Sequence, residues 1–200
     1  MDIIKATNRD GSPNLFQKLQ RSASVCRKWQ QNFSKIQRTV PIQNTEITLM
    51  NFQIDYLVQK DDIILFNQYE KGITMDENIH RRRKGMLTDI FVTGTNALTR
   101  DGKLVNADGS GNRVASLIFG PKKVLVVVGV NKIVDNVEDG FKRLMEVSAV
   151  KNIDRMNSKA IEMGKTPRHN LDNIANKFSY IKADEKDRIV LIIVNEELGY

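Results

Sequence analysis

The hydrophobic pattern is strongest where it is unbroken. Val124-Leu125-Val126-Val127-Val128-Gly129-Val130 and Ile189-Val190-Leu191-Ile192-Ile193-Val194 contain no polar position. A continuous, β-branched apolar run predicts a strand covered on both faces, as at the centre of a parallel sheet. Between them Val134, Val137, Phe141, Leu144, Met145 and Ser148 recur at three- and four-residue spacing, which predicts an amphipathic helix from about Asp135 to Val150. A shorter strand, Ile90-Phe91-Val92, opens after Asp89 and ends at Thr93-Gly94. Thr74-Met75-Asp76-Glu77 has the form of a capping box and predicts a helix running to Leu87. Asp101-Gly102, flanked by Leu98 and by Leu104-Val105, predicts a hairpin that projects past the sheet, because both central residues tolerate positive φ. Val114 to Phe119 reads as a short helix ended by Gly120-Pro121.

The earlier part of the chain is plainer. Ile54 to Phe66 reads as a short helix followed by the apolar piece Ile63-Ile64-Leu65-Phe66, and Val25, Trp29, Phe33 and Ile36 mark one helical face in a polar segment. Strands clothed in apolar residues and alternating with helices predict an α/β domain: three α/β/α layers around a mainly parallel sheet, with a small β-hairpin.

Composition changes this picture little. With 200 residues, 40% of them hydrophobic, and one cysteine, Cys26, the chain is large enough for a core without disulfides. The longest uncharged apolar run, Val124 to Val130, is far short of the roughly 20 residues of a membrane-spanning helix. Met1 to Pro13 is polar and predicts no export signal, so a cytoplasmic location is expected. The formal charge of +7 is unevenly placed. Residues 1 to 45 hold eight basic and two acidic side chains, whereas the remainder carries 23 basic and 22 acidic ones. This separates a basic head, 1–45, from a neutral body, 46–200. Nucleic-acid binding is then confined to the head and to Arg81-Arg82-Arg83-Lys84, a run that reads as a solvated helix face.

Motif chemistry is sparse. His80, His169 and Cys26 have no ligand-like spacing, so no metal is expected. Ser110 is flanked directly by glycines and lacks the form of a nucleophile elbow, and the glycines present complete neither a Walker loop nor a dinucleotide fingerprint. No cofactor is assigned. Position is more informative. In open parallel sheets ligands bind beyond the carboxyl ends of the strands. Two strands end in Gly94-Thr95-Asn96 and in Gly129-Val130-Asn131-Lys132. If the turn Asp108-Gly109-Ser110-Gly111-Asn112-Arg113 lies over the same edge, its N–H groups, the following helix start, Arg113 and Lys132 could hold a carboxylate or phosphate. The candidate ligand-binding set is therefore Gly94, Thr95, Asn96, Asp108, Gly109, Gly111, Asn112, Arg113, Asn131 and Lys132. The same residues also read as loop positions chosen for positive φ and capping, and the two readings stay open. Lys122-Lys123 falls at the opposite end and reads as solvated.

Thr93-Gly94-Thr95-Asn96-Ala97-Leu98-Thr99, Asp101-Gly102, Leu104-Val105-Asn106, Asp108-Gly109 and Gly111-Asn112-Arg113-Val114-Ala115 closely resemble the LUD-domain, or lactate utilisation, proteins. The likeness continues through Phe119-Gly120-Pro121-Lys122-Lys123-Val124 and Val128-Gly129-Val130-Asn131-Lys132-Ile133-Val134, and closes with Ile192 to Tyr200. The resemblance implies a fold similar to the sugar-phosphate isomerase and CoA-transferase superfamily, and a role in oxidising L-lactate to pyruvate, in which some relatives work beside iron-sulfur partner subunits. Two features depart from the family pattern. Thr166-Pro167 is followed by Arg168 rather than by cysteine, and residues 1 to 45 show neither the strand nor the glycine-rich turn with which relatives open. The resulting expectation is a lactate-utilisation-type protein that binds a small anionic ligand or a partner subunit, with self-association left open. Alternatives are a stand-alone enzyme or binding module for a sugar phosphate or acyl-CoA, with Asp108 as base or nucleophile, and a nucleic-acid binder acting through the head.

Overall fold

The computed structural model describes residues 3–6, 38–42 and 63–200, with side chains described from 64 onward. Its frame is a six-stranded sheet built from β1 (Ile3–Ala6), β2 (Arg38–Ile42), β3 (Ile63–Asn67), β4 (Ile90–Thr93), β7 (Lys123–Gly129) and β10 (Ile189–Val194), in the order β1-β10-β7-β4-β2-β3. Every pairing in it is parallel. The two unbroken apolar runs are neighbours, with Ile189 opposite Val124 and Leu191 opposite Val126. Alternation does the rest: Val124, Val126, Val128, Ile189 and Leu191 join Phe91 in one core, while Val127, Ile192 and Val194 face the other way. The fold is the expected three-layer α/β class.

The predicted hairpin forms, with Gly102 at φ 89°, but it does not stand alone. β5 (Ala97–Thr99) and β6 (Leu104–Asp108) are the middle of a second sheet in the order β8-β5-β6-β9, completed by β8 (Ile133–Val134) and β9 (Lys177–Ile181). Leu98, Leu104 and Ile181 of this sheet share the core of Phe91 and Val126, which is why an isolated hairpin is not stable here. Its other face carries Ala97, Val105 and Ala107 against the long helical stretch.

That stretch is longer than its hydrophobic spacing predicts. It runs as α3 (Val137–Arg143), a π-helical segment Leu144–Ala149 and α4 (Val150–Glu162). The remaining helices are α1 (Met75–Lys84), α2 (Asn112–Ile118) and α5 (Leu171–Ile174). The Thr74 hydroxyl caps the Glu77 N–H at 3.2 Å, but the Glu77 carboxylate turns to Arg81 at 2.7 Å, so the box is half closed.

Residues 1 to 45 are not devoid of strand, as the sequence suggested: β1 and β2 belong to the large sheet. β1 is four residues long, and β2 contains Pro41, which cannot donate to a ladder and masks the strand signal. On the β4 side, the β2 ladder is the single pair Ile42–Val92, so the proline is tolerated. The helices read at Val25–Ile36 and after Ile54 lie outside the described residues.

Leu191 is 1% exposed at the centre of the main core. Leu191→Ala should lower the unfolding free energy by about 2–5 kcal/mol in urea denaturation. Leu87→Ala, at a side chain 88% exposed, should stay within about 0.5 kcal/mol of wild type.

Candidate functional site

Register builds the site. β4 pairs with β7 and, further along the chain, β5 pairs with β8, both in parallel. Two neighbouring strands of one sheet therefore feed two neighbouring strands of the next, and their connections, 94–96 and 130–132, run side by side. Arg143 crosses both: Nε donates to the Asn131 carbonyl at 3.0 Å and Nη1 to the Asn96 carbonyl at 2.5 Å. The same Nη1 reaches the Ser148 hydroxyl at 3.1 Å. Residues five apart do not meet on an α-helix, but the π-helical winding of 144–149 brings them together.

Asn96 joins this group to the glycine-rich turn. Its side-chain oxygen accepts from Arg113 Nη2 at 2.5 Å and from the Ala107 N–H at 3.0 Å, and its own N–H donates to Asn106 at 3.2 Å. Arg113 also donates from Nη2 to the Ala107 carbonyl at 2.8 Å and from Nε to Asp108 at 2.9 Å. The second Asp108 oxygen accepts the Val114 N–H at 2.8 Å. The chain thus supplies its own carboxylate to the start of α2, and neither oxygen of Asp108 is idle. Asp108 is a clamp in this arrangement, not the free base that the enzyme alternative invokes.

The other candidates divide. Gly94 and Thr95 are buried, and the Thr95 hydroxyl donates to the Ala97 carbonyl at 3.0 Å, so they shape the connection from beneath. Gly109 has no room for a side chain: a Cβ there would meet the Asn173 carbonyl oxygen at 2.8 Å. Gly111 holds φ 86° at the cap of α2, a conformation that favours glycine. Asn112 accepts from the Ser110 hydroxyl at 2.8 Å. Asn131 turns outward to the C-terminal segment, accepting the Leu198 N–H and donating to the Gly199 carbonyl, each at 3.1 Å. Lys132 is 1% exposed; burial, and secondarily the Arg143 charge, lower its pKa to about 7. Burial lowers the Arg143 pKa as well.

Besides Arg143, three groups escaped the sequence reading. Tyr69 lies just beyond β3 with its hydroxyl within electrostatic reach of Arg155, Arg82 and Arg113. Arg155 Nε donates to the Tyr200 hydroxyl at 2.9 Å, and its Nη2 donates to Asn152 at 2.7 Å. Arg82 Nη1 donates to the Ser110 hydroxyl at 3.2 Å. The basic run is therefore not one solvated face: Arg81 pairs with Glu70 and Glu77, Arg82 turns to the glycine-rich turn, and Arg83 and Lys84 are exposed. The available signal for Arg155 was the polar series Ser148, Asn152, Arg155, which continues the helical spacing of Leu144. At the other end of the sheet Lys122, 73% exposed, pairs with Asp89 at 2.8 Å.

Electrostatically the edge is one-sided. Among the described residues Arg82, Arg143 and Arg155 donate only to neutral oxygens, and Asp108 is the carboxylate paired with Arg113. Among the described residues no group of three His, Cys, Asp or Glu is placed to hold a metal, and no helix is long and apolar enough to cross a membrane.

The LUD domain family model matches residues 14–194. Among solved structures, a DUF162 family protein from Deinococcus radiodurans is 11% identical, with 86% of this chain and 97% of that chain covered and a TM-score of 0.35. Ribose 5-phosphate isomerase from Plasmodium falciparum is 14% identical over 64% of this chain and 65% of that one, also with a TM-score of 0.35. No curated protein matches.

The depressed pKa of Lys132 sets a pH dependence. Its folded value lies below its unfolded value, so between about pH 7 and the ordinary lysine range the unfolded chain holds a proton that the folded chain lacks. Stability contributed by this group therefore rises with pH across that window and is lowest below it. Lys132→Met should remove a slope of up to about 1.4 kcal/mol per pH unit between pH 7 and 10, seen as the difference between urea titrations of the two proteins. Identical slopes would show an ordinary lysine.

Proposed function

The chain belongs to the LUD-domain family, and from that membership we propose that it is a lactate-utilisation-type protein whose cationic edge binds the carboxylate of a small 2-hydroxy or 2-oxo acid. The observation that carries the reading is Arg143, a desolvated guanidinium fixed by two backbone carbonyls and a hydroxyl, with no acid paired to it among the described residues. Three of its donations go to neutral oxygens through Nε and Nη1, which leaves Nη2 for a carboxylate. The 94–96 and 130–132 connections hold the guanidinium in place, so little ordering is needed when an anion arrives. Lys132, with a pKa near neutrality, gains a proton more easily when an anion settles close to it.

L-Lactate and pyruvate have the required chemistry: one carboxylate, and an adjacent hydroxyl or carbonyl able to meet the polar surroundings of Asn96. In this reading the chain holds the acid and presents it; L-lactate oxidised to pyruvate gives up two electrons and two protons, and iron-sulfur partner subunits of the kind that the family resemblance implies would accept the electrons while the protons pass to water.

L-Lactate or pyruvate should raise Tm progressively, the stabilisation growing with the logarithm of concentration above Kd and reaching about 2.7 kcal/mol at a hundredfold excess over Kd. Arg143→Gln should abolish the rise. Arg100→Gln should keep it, because Arg100 is 74% exposed and paired with Asp135. An equal rise in the Arg143→Gln protein, or none in wild type, would overturn the assignment.

A further inference from the structure

We infer that Tyr69, Arg82 and Arg155 form a second anion subsite, suited to the phosphoryl dianion of the same ligand whose carboxylate meets Arg143. The inference deepens the proposed function and rests on it for the carboxylate end alone.

Charge is the first ground. Burial raises the pKa of the Tyr69 hydroxyl, and the charged groups that act on it most strongly are the guanidiniums of Arg155, Arg82 and Arg113. Asp108 answers one of the three through its pair with Arg113. Two positive charges are left without a counter-charge among the described groups, and a phosphate monoester brings up to two negative ones near neutral pH.

Donor geometry is the second. Arg82 Nε is shut off from solvent and has no acceptor, while Nη1 of the same group spends its bond on the weak, neutral Ser110 hydroxyl at 3.2 Å. Buried cationic donors are costly to leave unmatched. Arg155 is likewise directed by neutral groups alone, the Tyr200 hydroxyl and Asn152. Donors thus come from two separate helices, α1 and α4, and from the segment after β3 that carries Tyr69. A tetrahedral group with three terminal oxygens can meet donors arriving from three directions, whereas a planar carboxylate meets one fork.

Continuity is the third. Arg143 donates to the Asn131 carbonyl, the Asn131 side chain donates to the Gly199 carbonyl, and the next residue, Tyr200, accepts from Arg155 through its hydroxyl, so the two ends lie along one edge. A ligand carrying a carboxylate and a phosphate a few bonds apart can address both.

Calorimetric titration of the full chain with inorganic phosphate, L-lactate and 3-phosphoglycerate, at matched ionic strength in chloride, separates these claims. Phosphate should bind wild type, and Arg82→Gln or Arg155→Gln should weaken it at least tenfold while leaving L-lactate unchanged. Arg143→Gln should do the reverse. Tyr69→Phe, at a residue 47% exposed and hence tolerant of change, should weaken phosphate about threefold. 3-Phosphoglycerate should bind at least tenfold more tightly than either single-headed anion. Should Arg155→Gln fail to fold, Arg155→Lys, which keeps the charge and loses the fork, should still weaken phosphate. Absent phosphate binding, or binding indifferent to Arg82 and Arg155, would overturn the subsite while an intact L-lactate response left the proposed function standing. Phosphate binding that depends on Arg155, without any L-lactate response, would support the subsite and refute the carboxylate reading. Equal affinities for phosphate and 3-phosphoglycerate would refute the shared ligand.

Discussion

The edge depends on Asn96. A single residue in the short connection between β4 and β5 accepts from Arg113 with its side chain, accepts from Arg143 with its carbonyl, and ties the Ala107 and Asn106 segment of β6 to both. Hydrogen bonds to charged groups are the stronger ones, and here two of them converge on one residue. The reason Asn96 can serve two arginines is topological: parallel pairing in both sheets sets the connections beside each other, so a side chain reaching one reaches both.

From that constraint the character of the site follows. Guanidiniums held by neutral oxygens keep their charge uncompensated, and burial makes the charge costly. Asp108 balances this within the turn, where it clamps Arg113 and caps α2, and no described acid balances it at Arg143, Arg82 or Arg155. Charge retained at a cost in stability is what the proposed binding role would require of this edge. The π-helical segment belongs to the same economy, because its winding lets Ser148 orient Arg143.

Much of the frame was legible in the sequence. The unbroken β-branched runs at Val124 and Ile189 predict buried parallel strands, and Asp101-Gly102 predicts a hairpin, because in each case one local rule dominates. Asn96, Arg113 and Lys132 were legible as candidates because they follow strand ends. Their separate roles were not. That Asp108 occupies both Arg113 and the Val114 N–H is a tertiary fact, invisible in spacing. Tyr69, Arg82 and Arg155 were hidden for different reasons: Tyr69 sits in a turn, Arg82 inside a run whose neighbours are solvated or paired, and Arg155 beyond the predicted end of a helix. The π-helical segment breaks the 3.6-residue period on which helix reading relies. β1 and β2 were missed because four residues and a proline carry too little pattern.

The dependence on Asn96 is open to one direct measurement, a double-mutant cycle between Arg113→Met and Arg143→Met followed by urea denaturation. No hydrogen bond joins the two arginines; they share Asn96. Coupling of about 0.5 kcal/mol or more is the result that a shared partner predicts. Losses that add to within about 0.3 kcal/mol would contradict it and would reduce the edge to two unconnected arginines.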